Sequence, residues 1–118
     1  MATVVYVAGP FRAENSDAMR EHIIRAKDAA KAVWMLGCVA VLPHTNHGWM
    51  WGQMDELTAI EGCLSLVSRC DVLYLSEGWE QSAGACAELE TARRYGLLVF
   101  DDLDALAAHL APPAGKPH

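Results

Sequence analysis

Between residues 82 and 88 the chain reads Ser-Ala-Gly-Ala-Cys-Ala-Glu, with a hydroxyl at Ser82, a glycine at Gly84 and a carboxylate at Glu88. Small residues at the start of a helix leave its first amides open. Such an end carries about half a positive charge and three or four unpaired N–H groups, so an anion such as a 5′-phosphate suits it. Glu88 stands about one turn further on. A helical side chain leans towards the amino end, which brings this carboxylate back over the same loop. Taken alone, Glu88 is either a first-turn acid that stabilises the helix dipole or a carboxylate kept ionised for nucleophilic attack.

Two other segments hold residues of chemical interest. Gly9, Pro10, Phe11 and Arg12 follow an apolar run, with a glycine that admits a ligand to the backbone and an Arg able to hold an anion. They do not form GxGxxG, so the dinucleotide fingerprint is absent, and a plain strand-to-helix turn is the alternative. His44 and His47 stand three apart. A metal would need a third ligand, and none stands at a telling spacing, so hydrogen bonds to a base or a purely structural turn remain open. Trp49 and Trp51 could stack on a base, cover the sheet edge or meet a partner subunit. No cofactor is implied.

These loops need a frame. Val4 to Val7 is β-branched and aromatic without alternation, as in a strand buried on both faces. Val39 to Leu42, Val72 to Leu75 and Leu97 to Phe100 repeat the type. Between them lie helical stretches. The first is capped by Asn15 or Ser16, carries Met19, Ile23, Ala26, Ala30, Val33 and Trp34, and stops at Gly37. The second runs from about Asp55 to Arg69 with Leu57, Ile60, Leu64 and Val67 on one stripe. The third runs from about Ala83 to Tyr95, and a last short one, capped by Asp101 or Asp102, reaches about Leu110. His44 to Gln53 has no period and is expected to be a rim loop.

Strand and helix thus alternate, which predicts a single Rossmann-like, flavodoxin-like three-layer α/β domain. It has a parallel sheet of about four strands, order 2-1-3-4, with helices on both faces. Residues 1–111 form the domain and 112–118 a tail. Ligands of such sheets bind beyond the carboxyl ends of the strands, where the strand order reverses.

The 118 residues suit one core, with 53% hydrophobic and 20% charged residues. A net charge of −6 argues against a nucleic-acid partner, because phosphate backbones are held by clustered Lys and Arg. No apolar run approaches the roughly 20 residues that span a bilayer. The first ten residues lack a basic segment and read as a strand, not a signal peptide. Cys38, Cys63, Cys70 and Cys86 are scattered without a CxxC pair and are expected to be reduced core residues in a cytoplasmic protein.

In combination these pieces resemble the nucleoside 2-deoxyribosyltransferase superfamily, which includes deoxynucleoside 5′-monophosphate N-hydrolases. The resemblance rests on YVAGPFR at 6–12, RCDVLYLSEGWE at 69–80, and SAGACAE at 82–88 followed by Ala92. It implies Glu88 as the nucleophile, with Tyr6 as its contacting strand tyrosine in the catalytic pair. It implies Ser82 and Gly84 as holders of a 5′-phosphate, and Gly9 and Arg12 as neighbours of sugar and phosphate. Pro10, Phe11, His44 and Trp79 complete the expected substrate-binding set, as residues of the same rim loops. The expected chemistry is cleavage of a nucleoside or nucleotide N-glycosidic bond, or (deoxy)ribosyl transfer, through a glycosyl-enzyme intermediate. A homodimer or larger homo-oligomer is implied as well.

The chain departs from the family at Cys63. The family has an Asp eight residues before the Asp that opens the third strand, and Cys63 stands eight before Asp71. Glu56 and Glu61 do not substitute without a shift. That departure favours the other reading, a nucleotide-binding or sequestering module impaired in catalysis.

Overall fold

The computed structural model describes residues 2–11, 13, 15–46, 50 and 52–110. Val4–Ala8 (β1), Val39–Val41 (β2), Val72–Leu75 (β3) and Leu98–Phe100 (β4) form one parallel sheet in the order β2-β1-β3-β4, as the alternation predicts. Ser16–Met35 (α1), Pro43–Asn46 (α2), Glu56–Val67 (α3), Ala83–Arg94 (α4) and Leu103–Leu110 (α5) are helical. No helix among the described residues is long and apolar enough to cross a membrane.

The caps follow from side-chain chemistry. Asn15, Asp55, Ser82 and Asp102 each accept a hydrogen bond from an amide three residues on, at 2.8, 3.2, 3.1 and 3.2 Å. Such caps contribute about 1 kcal/mol each. Gly37 and Gly96 end α1 and α4 at φ 89° and 76°, a region that costs other residues strain.

Alternation along the two central strands divides the core. Val5, Val7, Val72 and Tyr74 pack with Ala26, Ala30 and Val33 of α1 and Leu106 of α5. Tyr6, Ala8, Leu73 and Leu75 point the other way, onto Cys63 and Val67 of α3 and Ala85, Leu89 and Ala92 of α4. Both faces are covered, which is why these strands read as continuous apolar runs. At the sheet's amino edge the Asp71 carboxylate accepts from the Val4 amide at 2.8 Å. At its carboxyl edge the Ser76 amide and hydroxyl both donate to the Ala8 carbonyl, at 2.8 and 3.0 Å.

Several expectations need correction. The stripe at 57, 60, 64 and 67 is fully buried only at Val67. Leu57 and Ile60 are 61% and 39% exposed, whereas Cys63 and Val67 are buried. The helix turns its Cys63–Val67 edge to the sheet, leaving Ile60 and Leu64 to line a cleft. Trp34 is 54% exposed, so the apolar set assigned to α1 is not buried throughout. The rim segment begins with the short helix α2, where Pro43 occupies a first-turn position that needs no amide donor. All four cysteines are free, yet only Cys38 and Cys63 are buried, and Cys86 is exposed. The expected tail at 112–118 lies outside the described residues.

The close approach of β1 and β3 makes Gly9 sterically obligatory. A Cβ there would stand 2.0 Å from Ser76 Oγ. Gly9→Ala is expected to lower unfolding stability by about 1–3 kcal/mol. Combining it with Ser76→Ala removes the obstructing oxygen, so a denaturant-based double-mutant cycle should show a strongly sub-additive loss. Simple additivity would contradict the contact.

Candidate active site

The strand order reverses between β1 and β3, and a cleft of about 870 Å³ opens above their carboxyl ends. Gly9, Pro10 and Phe11 line it after β1, His44 after β2, and Ser76, Glu77 and Gly78 after β3. The amino end of α4 closes one wall with Ser82, Gly84 and Glu88. Glu56, Ile60, Cys63 and Leu64 of α3 form the opposite wall, and His22 and Arg25 reach in from α1.

Glu88 is 7% exposed and Tyr6 wholly buried, and the Tyr6 hydroxyl donates a short hydrogen bond to Glu88 Oε2. Topology explains the meeting. Tyr6 projects from the central strand towards α3 and α4, and Ser82 fixes the phase of α4 so that Glu88 comes over the strand end. Tyr6 itself lies beneath the cleft and does not line it. Its hydroxyl meets the carboxylate from beneath.

Burial has a clear electrostatic result. Loss of water pushes the Glu88 carboxyl up to about 7, against a downward pull from the Tyr6 hydrogen bond. The carboxylate expected to stay ionised is thus poised near neutrality. Burial, followed by the nearby Glu88 charge, raises Tyr6 far above the phenol range. Burial also raises the Cys63 thiol, with a hydrogen bond to Tyr6 opposing it and Glu88 reinforcing it. Tyr6, beneath the cleft, links Cys63 and Glu88 of its lining into one electrically connected cluster.

Ser82 Oγ accepts from the Ala85 amide at 3.1 Å, and the Ser82 carbonyl accepts from the Cys86 amide at 3.0 Å. Helix geometry leaves the Ala83 and Gly84 amides without intrahelical acceptors at the cleft wall. A Cβ at Gly84 would meet only Ser82 Oγ, at 3.9 Å. The wall is open to a ligand.

His44 Nε2 lies 2.7 Å from the Pro10 carbonyl, and its ring meets Phe11 edge-on at 5.4 Å between centroids. His22 Nδ1 lies 3.3 Å from the Phe11 carbonyl. Two imidazoles thus brace the first loop, and His44 acts on that loop as well as lining the cleft. Among the described residues no cluster of three metal-ligating side chains occurs.

The structure brings Tyr6, Gly9, Pro10, Phe11, His44, Ser82, Gly84 and Glu88 together around one cleft. Trp79 does not join them. It sits in a 3₁₀ turn, Trp79–Gln81, and packs against the core beneath α4. Arg12, His47, Trp49 and Trp51 lie outside the described residues. Sequence reasoning missed Ser76, His22 and Arg25. Ser76 was legible as the residue ending the strand beside Gly9. His22 and Arg25 carry no signal beyond their helical spacing.

Solved structures similar to this chain include the 2-deoxyribosyltransferase from the psychrotolerant bacterium Bacillus psychrosaccharolyticus, with TM-score 0.58 and 18% identity over 82% of this chain and 69% of that one. Another is the 2-desoxiribosyltransferase from Leishmania mexicana, with TM-score 0.55 and 17% identity over 85% of this chain and 65% of that one. At these identities the likeness is one of fold. No curated protein matches the sequence. Residues 3–101 match a family described as a domain of unknown function, DUF4406, and the chain belongs to that family.

Proposed function

We propose that this protein breaks the N-glycosidic bond of a nucleoside or nucleotide, passing the sugar to water or to another base, with Glu88 as nucleophile. The observation that carries this reading is the buried Glu88 carboxylate, hydrogen-bonded by Tyr6, at the floor of a cleft beside an open helix end. A carboxylate so placed suits attack on an anomeric carbon, where the transition state is cationic and the charge itself is stabilising. The likeness in fold to proteins named as 2-deoxyribosyltransferases supports the same reaction class.

Ser82, the Gly84 amide and Arg12 are assigned to an anionic group of the substrate, such as a 5′-phosphate. Pro10, Phe11 and His44 are assigned to the sugar and base. Catalysis then divides the labour. Tyr6 fixes one carboxylate oxygen through its hydroxyl and leaves the other for attack. The apolar walls at Ile60 and Leu64 limit water around the reacting carbon. A second reading, a binding module without turnover, is favoured by Cys63, and measurement of base release separates the two. The protein is further proposed to act in the cytoplasm as a homo-oligomer.

Glu88→Gln is expected to lower kcat by several powers of ten while ligand affinity changes little, because a nucleophile acts chiefly in the transition state. Unchanged turnover would remove Glu88 from the mechanism.

The raised pKa gives two pH signatures. Activity needs the ionised form, so kcat/KM should rise with pH through about 7. Tyr6→Phe removes a hydrogen bond that favours the charge, so this limb should move to higher pH. Stability runs the other way. The folded carboxyl, near 7, holds its proton more tightly than the ordinary 4.5 of the unfolded chain. The resulting stabilisation, about 3 kcal/mol, is full below pH 4.5 and is lost as pH rises through 7. Unfolding measured across this window should show that slope in the native protein and a flatter one in Glu88→Gln.

A further inference from the structure

Cleavage of an N-glycoside asks for two things: a nucleophile at the anomeric carbon and a way for the base to leave with the bonding electron pair. A neutral base leaves as an anion unless an acid protonates it. A base that is already positively charged leaves neutral and needs no proton. The groups around the reacting carboxylate therefore say which kind of base can depart.

Two proton-bearing side chains flank Glu88 in the buried cluster, the Tyr6 phenol and the Cys63 thiol, and burial weakens both as acids. The strongest acid in that cluster is Glu88 itself, which must be ionised to attack. One group cannot serve as nucleophile and acid in the same step. The imidazoles of His22 and His44 each have one ring nitrogen at a carbonyl of the first loop, and Glu56 and Glu77 stand exposed at the rim. An ionised Glu88 beside the reacting carbon opposes a base that departs as an anion and favours one that starts as a cation.

We infer that the substrates of this site are N-glycosides whose departing heterocycle already carries a positive charge, such as a pyridinium or an N7-alkylated purine. The inference rests on the assignment of Glu88 as nucleophile. In the first step a bond forms between a Glu88 oxygen and the anomeric carbon as the carbon–nitrogen bond breaks. Its electron pair neutralises the ring nitrogen. Water then attacks the anomeric carbon, the ester bond to Glu88 breaks, and the carboxylate is regenerated with one proton released to solvent.

The test uses the full chain with N7-methylguanosine 5′-monophosphate and guanosine 5′-monophosphate, which differ by one methyl and one charge, and with nicotinamide mononucleotide. Ribo- and 2′-deoxyribo-forms are each assayed, and released base is followed by chromatography after subtraction of enzyme-free rates. The expected kcat/KM is about 10²–10⁴-fold higher for the methylated compound than for its neutral partner, the usual contribution of a general acid. Cys63→Asp should narrow that ratio at least tenfold by raising turnover of guanosine 5′-monophosphate. If that variant fails to fold by circular dichroism, the ratio in the native protein decides alone. Equal or faster release from the neutral compound, abolished by Glu88→Gln, would overturn the leaving-group inference and leave Glu88 as nucleophile. Release from the cationic compounds that survives Glu88→Gln would overturn both. Calorimetric binding with no release from any compound would also overturn both, in favour of the binding module.

Discussion

The hydrogen bond between Tyr6 and Glu88 joins the central strand to the helix that walls the cleft, and most of the architecture is arranged around it. Tyr6 can reach Glu88 because alternation along β1 sends it to the α3 and α4 side, while Val5 and Val7 go to the other. A one-residue slip of β1 against β3 would exchange those faces and bury a valine where the phenol stands. Pairing of Tyr6 with Leu73, together with the Ser76 clasp on Ala8, fixes that register directly beneath the cleft. The Ser82 cap then sets where α4 begins, and with it the position of Glu88.

A carboxylate almost fully removed from water is costly, and here one phenol offsets only part of the cost. The protein tolerates a group that loses stability as it ionises near neutral pH. Perturbed groups of this kind concentrate at functional sites, where a poised charge is useful. Here the perturbation, the concavity and the open amides of α4 occur together. A first-turn acid acting only on the helix dipole would lie exposed, as Glu90 does one turn from Arg94, and would need no buried partner.

The fold was largely legible because its signals are local and agree with one another. Four apolar runs, a stop glycine at 37 and cap candidates at 15 or 16 and at 101 or 102 marked the elements, and their alternation left little choice of topology. The site was legible where a residue's place follows from topology, as for Gly9, Ser82 and Glu88. It was misread where placement depends on how a helix rotates on the sheet. The α3 stripe was assigned by apolarity, but a cleft needs apolar walls too, so Leu64 and Ile60 could serve there and leave Cys63 to the sheet. Trp79 failed for a related reason. An aromatic in a rim loop can face the ligand or anchor the loop, and one turn of 3₁₀ helix decides which. The braces from His22 and His44 to the first loop are tertiary contacts between distant segments, which no spacing records.

The central claim is that the Glu88 carboxylate bonds covalently to the sugar. It is tested most directly by quenching the protein with acid during turnover of an N-ribosyl or N-deoxyribosyl 5′-monophosphate, then weighing it intact and after digestion. The account predicts a mass increase equal to the sugar phosphate, carried by the peptide that contains Glu88. Base release with the adduct on another residue would contradict it.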